Sequence, residues 1–210
     1  MNRPRIPRND PRAIHSRGIT VLKPSHSLIR KLKRELPEPC IHGDKVWDSS
    51  WLLMDELRRH PPAPGSTLMD LGCGWGPLCM FAARRLEQNV IGIDADRGVF
   101  PYLELHAQIN GVAVETRQRR FEKLGRAELT GVDTLAGADI CFWDELTPVL
   151  FRLIRRALNA GVERILIADP GRDPFYQLAE RCQKAFTARV VERKTSTPKA
   201  ALADLLIVEA

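Results

Sequence analysis

The chain has 210 residues, of which 44% are apolar and 28% are charged, the balance of an ordinary soluble domain with a substantial core. No apolar run approaches the roughly 20 residues that span a bilayer, and no secretory leader opens the chain, so we expect a cytoplasmic protein without a membrane contact. The five cysteines and five histidines lack the spacing of a disulfide framework or a metal site, which predicts no bound metal.

The net charge of +6 is concentrated at the amino terminus. Residues 1–34 contain ten Lys and Arg side chains and a single acid, Asp10. Prolines interrupt residues 1–22, so we expect a flexible basic arm there. Such an arm can contact nucleic acid or an acidic protein by electrostatic attraction, or it can be a solvated tail without a dedicated partner.

A short basic helix is predicted from Ser25 to Leu36, because an apolar stripe follows a residue that can cap a helix. Either Ser25 or Ser27 can supply that cap, and Pro37 ends the pattern. We assign residues 23–44 to a helical flap that packs on the main domain.

The main domain is predicted to cover residues 45–210, and its first helix starts at Asp48 or Ser49. Trp47 directly precedes this helix. Its ring either covers the core or lies at the rim of a ligand pocket, where an aromatic face suits a sulfonium or an adenine.

The most informative stretch is Leu68–Pro77, where a short apolar strand leads into a glycine-rich turn and then a helix. Gly72, Gly74 and Gly76 let the backbone turn sharply and let a ligand approach the main chain. The third glycine follows the second by two positions, whereas a dinucleotide-binding fingerprint needs three. The turn therefore predicts a nucleotide-like cofactor other than a dinucleotide.

Two acids accompany this turn. Asp70 lies two residues before Gly72, and Asp94 ends the next predicted strand. A carboxylate at Asp94 can accept hydrogen bonds from both ribose hydroxyls, with Asp96 as the weaker candidate. The combination resembles motif I of the class I, seven-strand S-adenosylmethionine methyltransferases. In that family an acid in the place of Asp70 lies near the cationic methionine end of the cofactor, where opposite charges attract.

Helices and strands alternate through the rest of the chain. We predict helices at 77–85, 97–109, 147–158 and 173–186, and strands at 112–116, 137–145 with its loop, 162–168, 188–194 and 203–209. The last two strands follow one another without a helix, as in the seven-strand methyltransferase sheet. The expected fold is therefore α/β and Rossmann-like, with a mostly parallel seven-strand sheet and a basic N-terminal helical extension.

Residues 117–123 are basic where many methyltransferases of this fold carry an acid toward the adenine amine. The segment is interpreted first as a solvated charge run. The alternative is that Arg119 or Phe121 stacks on the adenine.

Ligands of an open α/β sheet bind beyond the carboxyl ends of its strands. After the fourth strand, Phe142 and Trp143 offer aromatic walls, and Asp139 or Asp144 offers a carboxylate. These groups suit a nitrogen acceptor, since a lysine ammonium titrates near about 10.4 and must lose its proton before attack. The predicted catalytic residues are Asp139, Phe142, Trp143 and Asp144, and the predicted cofactor residues are Trp47, Asp70, Gly72, Gly74, Gly76 and Asp94.

Four stretches make the resemblance specific to one branch of the family: Val46–Trp51, Asp70–Gly76, Phe142–Glu145 and Leu166–Arg172. Together they resemble the branch of seven-strand protein lysine methyltransferases that contains the electron-transfer-flavoprotein β-subunit lysine methyltransferase. That branch ends its fourth strand in an acid-x-x-aromatic motif, which matches Asp139 and Phe142 here. Alignment on Phe142–Glu145 instead leaves Asp144 as the rival acid.

The resemblance implies an S-adenosylmethionine-dependent transferase that methylates a lysine side chain of a protein substrate. An RNA methyltransferase guided by the basic arm is one alternative, with nucleic acid bound through residues 1–34. A cofactor-binding module without turnover is another.

Overall fold

The computed structural model describes residues 4–36 and 45–210. In these ranges the strands are β1 (Ala13–Ser16), β2 (Ile19–Leu22), β3 (Thr67–Leu71), β4 (Asn89–Asp94), β5 (Glu115–Gln118), β6 (Thr134–Ala138), β7 (Arg164–Asp169), β8 (Thr187–Thr195) and β9 (Ala201–Glu209). The helices are α1 (Ser27–Glu35), α2 (Ser49–Arg59), α3 (Pro77–Arg85), α4 (Phe100–Asn110), α5 (Arg126–Leu129), α6 (Leu146–Asn159) and α7 (Asp173–Ala185).

Seven strands form one sheet in the spatial order β5-β4-β3-β6-β7-β9-β8. Strands β3 to β7 pair in parallel, and β9 runs antiparallel to both of its neighbours, β7 and β8. The predicted α/β fold with six parallel strands and one antiparallel strand is confirmed. Because the parallel strands end at one edge, the loops that follow β3, β4, β6 and β7 meet there.

Both faces of the sheet are covered, as the nearly continuous apolar character of β3, β6 and β7 requires. Helices α6 and α7 pack on one face, where Leu153 and Phe175 are buried. Helices α2 and α3 pack on the other face, with Trp51 and Phe81 in the core. This packing fixes the strand ends that carry the site.

Most predicted elements match the structure to within a few residues. The fourth predicted strand starts three residues earlier than expected, at Thr134, and the third starts three residues later. The third strand was expected at 112–116, whereas β5 covers Glu115–Gln118. Gly111 closes α4 in a left-handed conformation, and the amide of Val112 still donates to the carbonyl of Ala107. The first residues after the helix therefore belong to its C-cap, which delays the strand.

The expectation of a flexible arm is wrong for the described residues of the range 1–22. Residues 13–22 form an antiparallel hairpin, β1–β2, with Arg17 and Gly18 at its turn. Their φ angles of 50° and 78° are the left-handed pair that a two-residue hairpin turn needs. Ile19 and Leu22 are buried, because the hairpin presents an apolar face to α3 and α4.

Polar contacts hold this hairpin to the main domain. Arg17 Nη2 lies 2.6 Å from Asp55 Oδ2 on α2, with both side chains almost fully buried. The amide of Leu22 donates to His106 Nε2 at 2.9 Å, while the Nδ1 atom of His106 lies 2.7 Å from the carbonyl of Tyr102. Burial lowers the pKa of His106 to about 4, so the ring is neutral and can accept this hydrogen bond.

Helix α1 lies where the sequence predicts a basic helix, but its cap differs from the prediction. His26, rather than Ser25 or Ser27, is the N-cap, and its side chain accepts a hydrogen bond from the amide of Leu28. Ile29 is fully buried in a cluster with Trp75. The remainder of the predicted flap, residues 37–44, lies outside the described residues.

Across residues 4–36 and 45–210, no helix combines the length and apolar character needed to cross a membrane. In the same ranges, no group of three or more His, Cys, Asp or Glu side chains could hold a metal ion. The cysteines of the described residues, Cys73, Cys79, Cys141 and Cys182, are free and buried.

Candidate active site

A cleft with a volume of about 190 Å³ opens at the carboxyl edge of the sheet. The loops after β3, β4 and β6 supply its floor, and the segment before α2 supplies one wall. Of the predicted site residues, Trp47, Gly72, Gly74, Asp94, Asp139, Phe142 and Trp143 line this cleft. Residues from four separate parts of the sequence therefore share one cavity.

Two glycines in the turn between β3 and α3 are needed for different reasons. Gly74 has a φ of 51°, and a Cβ at this position would meet no atom within 4 Å, so the backbone borders open space in the cleft. Gly76 has a φ of 74°, but a Cβ there would lie 2.7 Å from Leu103 Cγ. Gly76 thus permits close packing of the turn on α4, while Gly74 leaves room for a ligand.

Asp94 ends β4 and faces the cleft beside this turn. Its Oδ2 accepts a hydrogen bond from the amide of Gly74 at 3.1 Å, and its Oδ1 accepts one from the amide of Asp96 at 2.9 Å. Burial raises the pKa of Asp94, and the two amides oppose that shift. Each oxygen retains acceptor capacity for a hydroxyl.

Asp96, the weaker ribose candidate, caps the 3-10 turn Arg97–Val99 by accepting the amide of Gly98 at 2.8 Å. It is not among the described residues that line the cleft.

Asp70 does not contribute to the lining of the cleft in the described part of the chain. It is 3% exposed, and Cys79 Sγ of α3 donates to its Oδ2 at 3.2 Å. Burial, helped by the nearby charge of Asp94 and opposed by the Cys79 hydrogen bond, raises the pKa of Asp70 to about 7. The carboxyl group therefore faces Cys79 of α3 and not the cleft. This position does not support direct contact between Asp70 and the cationic end of a cofactor.

Asp139, directly after β6, is buried at the other end of the cleft. Its φ of 55° is unusual for a residue with a side chain, and its amide is held by the carbonyl of Ala168 at 2.8 Å. One carboxylate oxygen accepts the amide of Ser49 at 3.3 Å, and the other accepts Arg172 Nη1 at 3.1 Å. Burial raises the pKa of Asp139, whereas the Ser49 hydrogen bond and the Arg172 charge lower it.

Arg172 connects three parts of the site, a role that the sequence analysis did not assign to it. Its Nη1 atom lies 2.7 Å from Asp169 Oδ2 and 3.1 Å from Asp139 Oδ1. Its Cζ lies 4.3 Å from the ring centroid of Phe142, a cation–π contact. The available signal was its position just after the fifth parallel strand, where site residues are expected.

Aromatic side chains line the part of the cleft that contains Asp139. The rings of Trp47 and Phe142 have centroids 5.4 Å apart and meet edge to face, and the ring of Trp143 lies 5.7 Å from that of Phe142. Lys45 Nζ lies 4.1 Å from the ring centroid of Trp47. Trp143 is 47% exposed, so it marks the mouth of the cleft, whereas Phe142 is half-buried.

The structure separates the two rival acids. Asp144 is exposed and accepts a hydrogen bond from Gln177 Nε2 of α7 at 3.0 Å. It is not among the described lining residues, whereas Asp139 is. The prediction of Asp144 as a catalytic residue is therefore not supported, because its side chain is exposed and bonds α7 outside the cleft.

Part of the basic run 117–123 lines the cleft, contrary to its first interpretation as a solvated face. Arg120, Phe121 and Glu122 border the cavity near Gly72. Arg119 instead points toward Glu128, at 3.9 Å. The ring of Phe121 and the carboxylate of Glu122 are therefore available to a ligand on this side of the cleft. Both residues come after the end of β5.

Comparison with known proteins agrees with this geometry. Residues 68–161 match the family model described as a methyltransferase domain. The match includes the glycine turn, Asp94 and Asp139. Residues 68–161 therefore belong to a methyltransferase domain, and the sheet has the seven-strand topology expected for class I S-adenosylmethionine-dependent methyltransferases.

Two named relatives bear on the acceptor. The chain is 29% identical over 140 residues to the ubiquinone biosynthesis O-methyltransferase of Hahella chejuensis, covering 67% of this chain and 54% of that protein. It is 29% identical over 148 residues to the electron transfer flavoprotein beta subunit lysine methyltransferase of Xenopus laevis, covering 68% and 59%. The chain thus spans little more than half the length of either relative.

A solved structure shares the fold. The N-terminal domain of EvdMO1, crystallised with SAH bound, superposes with a TM-score of 0.59 at 15% identity, covering 86% of this chain and 93% of that one. At this identity the likeness concerns the fold.

Proposed function

We propose that this protein transfers a methyl group from S-adenosylmethionine to a lysine side chain of a protein substrate. The observation that carries the proposal is that the buried carboxylate of Asp139 and the rings of Trp47 and Phe142 line the same cleft as Gly74 and Asp94. The expected cytoplasmic location stays a prediction.

The residues on the β3–β4 side fit the cofactor. Gly74 borders open space that a Cβ would fill, which suits close approach of a ligand to the main chain. Asp94 would accept the ribose hydroxyls, and Phe121 offers a ring for the adenine. S-adenosylmethionine supplies an electrophilic methyl group on a sulfonium. The protein contributes alignment of the acceptor for in-line displacement.

The residues on the β6–β7 side suit an amine acceptor. A lysine ammonium must release its proton to expose the attacking lone pair, and an apolar, aromatic surrounding disfavours the charged form. Asp139 can accept a hydrogen bond from the amine and orient it while the proton leaves to water. Arg172 holds Asp139 from the far side, so the carboxylate keeps one geometry throughout the reaction.

O-methylation of a phenol is the second candidate. The raised pKa of Asp139 brings this carboxylate closer to the range in which it can act as a general base for a hydroxyl. The rings of Trp47 and Phe142 could stack on an aromatic acceptor. The relative from Hahella chejuensis carries the name of an O-methyltransferase, which supports testing this acceptor class.

One experiment separates the candidates. The protein is incubated with a cell lysate and S-adenosylmethionine radiolabelled in its methyl group, and parallel samples receive protease, nuclease or organic extraction. We expect protease-sensitive label that appears as methyl-lysine after acid hydrolysis. Label in the organic phase would support the phenol, and nuclease-sensitive label would support RNA as substrate.

Isothermal titration with S-adenosylhomocysteine provides the matched control. Cofactor affinity without transfer to any fraction would indicate a cofactor-binding module. Folded protein that binds neither S-adenosylmethionine nor S-adenosylhomocysteine would refute the methyltransferase proposal itself.

A further inference from the structure

Three large apolar side chains are conspicuously exposed in the described part of the chain: Trp143, Tyr176 and Leu202, at 47%, 47% and 50%. They belong to the loop after β6, to α7 and to β9. Because β9 runs antiparallel, its first residues lie at the same carboxyl edge of the sheet as the cleft. All three exposed side chains are therefore on the functional edge of the molecule.

Hydrogen bonds connect these positions into one surface. Gln177, next to Tyr176, donates to Asp144, which is next to Trp143. The hydroxyl of Tyr176 donates to Asp204 Oδ2. Leu202 is two residues before Asp204 on β9, so their side chains share one face of the strand. The surface runs from the mouth of the cleft at Trp143 to the edge strand pair β8–β9.

Acidic side chains predominate beside this surface, and Lys194, which lies opposite Leu202 on β8, pairs with Glu192. Asp144, Glu145, Asp173 and Asp204 carry exposed or half-buried carboxyl groups. Within residues 4–36 and 45–210, none of the four forms an ion pair with a Lys, Arg or His side chain. Other exposed or half-buried acids, such as Glu180, Glu192 and Glu209, are paired with cations.

We propose that Trp143, Tyr176 and Leu202 form a docking ridge for a lysine-rich segment of the protein substrate that also carries apolar residues. The inference rests on the proposed lysine methylation and extends it from the reacting side chain to the surrounding segment. Continuity with the cleft mouth brings the segment to Asp139, and the unpaired carboxylates complement its cations. Large exposed apolar side chains next to such charges are typical of interaction sites.

The test uses a defined probe and needs no turnover. A fluorescein-labelled peptide of Gly-Lys-Leu-Ser repeats is titrated with the protein, and fluorescence anisotropy reports binding at low and at physiological salt. We expect Leu202→Thr to weaken binding about tenfold, as loss of an interface anchor does. We expect Asp144→Asn/Asp204→Asn to remove most of the salt dependence, since exposed charges are screened by salt.

A matched variant controls for charge alone. Glu104→Gln/Glu163→Gln removes the same two negative charges at exposed positions on α4 and before β7, and it should bind the peptide as the wild type does. Thermal melting confirms that each variant is folded. If Leu202→Thr lowers the melting temperature, Leu202→Asn, which has nearly the same branched shape without the apolar surface, replaces it in the titration.

The proposal is overturned if the ridge variants bind the peptide as tightly as the wild type does. It is also overturned if a Glu-containing analogue binds equally well, or if an oligouridylate competes for the ridge. Its failure is distinguishable from failure of the proposed function. Transfer to a phenol or RNA with intact peptide binding would remove lysine methylation alone, whereas lysine methylation with an unchanged KM in the ridge variants would remove the ridge alone.

Discussion

The two halves of the cleft are built in different ways. Apart from Phe121, the half beside β3 and β4 comes from one short piece of chain, Leu68–Asp94, in which a glycine turn and an acid meet through a hydrogen bond from the amide of Gly74. The half beside β6 and β7 combines Trp47, Ser49, Asp139 and Arg172, which are far apart in sequence. A local motif therefore builds the first half, and tertiary packing builds the second.

This difference has a functional consequence. Cofactor recognition depends on backbone geometry that few sequence changes can vary, while the acceptor side can be altered by substituting one loop or the start of one helix. Variants should therefore separate into those that affect cofactor affinity and those that affect transfer.

Asp139→Asn tests the acceptor half and should have the largest effect. Loss of a positioned carboxylate is expected to lower kcat by about a hundredfold or more, because amine orientation and proton release both depend on it. The affinity for S-adenosylhomocysteine, measured by isothermal titration, should stay within twofold of the wild-type value, an allowance of about 0.4 kcal/mol.

Asp144→Asn provides the comparison for that variant. Because Asp144 bonds Gln177 outside the cleft, its replacement should change KM for a protein substrate and leave kcat unaltered. Equal losses of kcat in the two variants would contradict the division between Asp139 and Asp144.

Arg17→Met tests how the acceptor half is supported. Arg17 ties the hairpin to α2 through Asp55, and the first residue of α2, Ser49, bonds Asp139. Removing one partner of a nearly buried ion pair should lower the free energy of unfolding by about 3 kcal/mol in urea denaturation. Arg58→Met removes an exposed partner of the same acid and should cost about 0.5 kcal/mol or less.

If the amino-terminal segment were a flexible arm, Arg17→Met and Arg58→Met would both leave the free energy of unfolding nearly unchanged. The hairpin was missed in the sequence because Arg and Pro dominate the composition of residues 1–22. The specific signal was Arg17-Gly18 between Ile14 and the β-branched run Ile19–Val21, which is the pattern of a two-residue hairpin turn.

Asp94→Ala tests the cofactor half. A carboxylate that accepts hydrogen bonds from ribose hydroxyls is worth about 2 kcal/mol, so affinity for S-adenosylhomocysteine should fall about thirtyfold. Asp96→Asn alters a capping residue outside the cleft lining and should leave affinity near the wild-type value. An unchanged affinity in Asp94→Ala would remove Asp94 from the cofactor site.

Sequence predicted the local half of the site better than the assembled half. The glycine turn and Asp94 follow from residue spacing alone, because strand, turn and strand are consecutive. Asp139 could not be separated from Asp144 because both flank the same aromatic pair, and only the direction of the backbone after β6 decides between them. The sequence places Asp169–Arg172 at this edge of the sheet but does not give Arg172 its role, because its two carboxylate partners, Asp139 and Asp169, are brought together by β6–β7 pairing.

The same limit applies to Asp70. Its place in the motif suggested a carboxylate facing the ligand, but the side chain of a residue within β3 can point to either face of the sheet. The structure directs it toward Cys79 beneath the turn. The spacing of Asp70 and the glycines identified β3 and the turn after it, but it did not determine which way the Asp70 side chain points.

Asp70→Asn acts on neither half of the cleft directly and should change the pH dependence of stability. The pKa of Asp70 is raised to about 7 in the folded protein, so between the unfolded value of 3.8 and about 7 the folded state binds more protons than the unfolded state. The free energy of unfolding therefore falls as pH rises through that window, by at most about 1.4 kcal/mol per pH unit, and levels off above it. Asn carries no titrating proton, and Cys79 can still donate to its carbonyl oxygen. Urea denaturation of wild type and variant across this window should give curves that diverge with pH, and curves that stay parallel would mean that the Asp70 carboxyl is already ionised beneath the glycine turn.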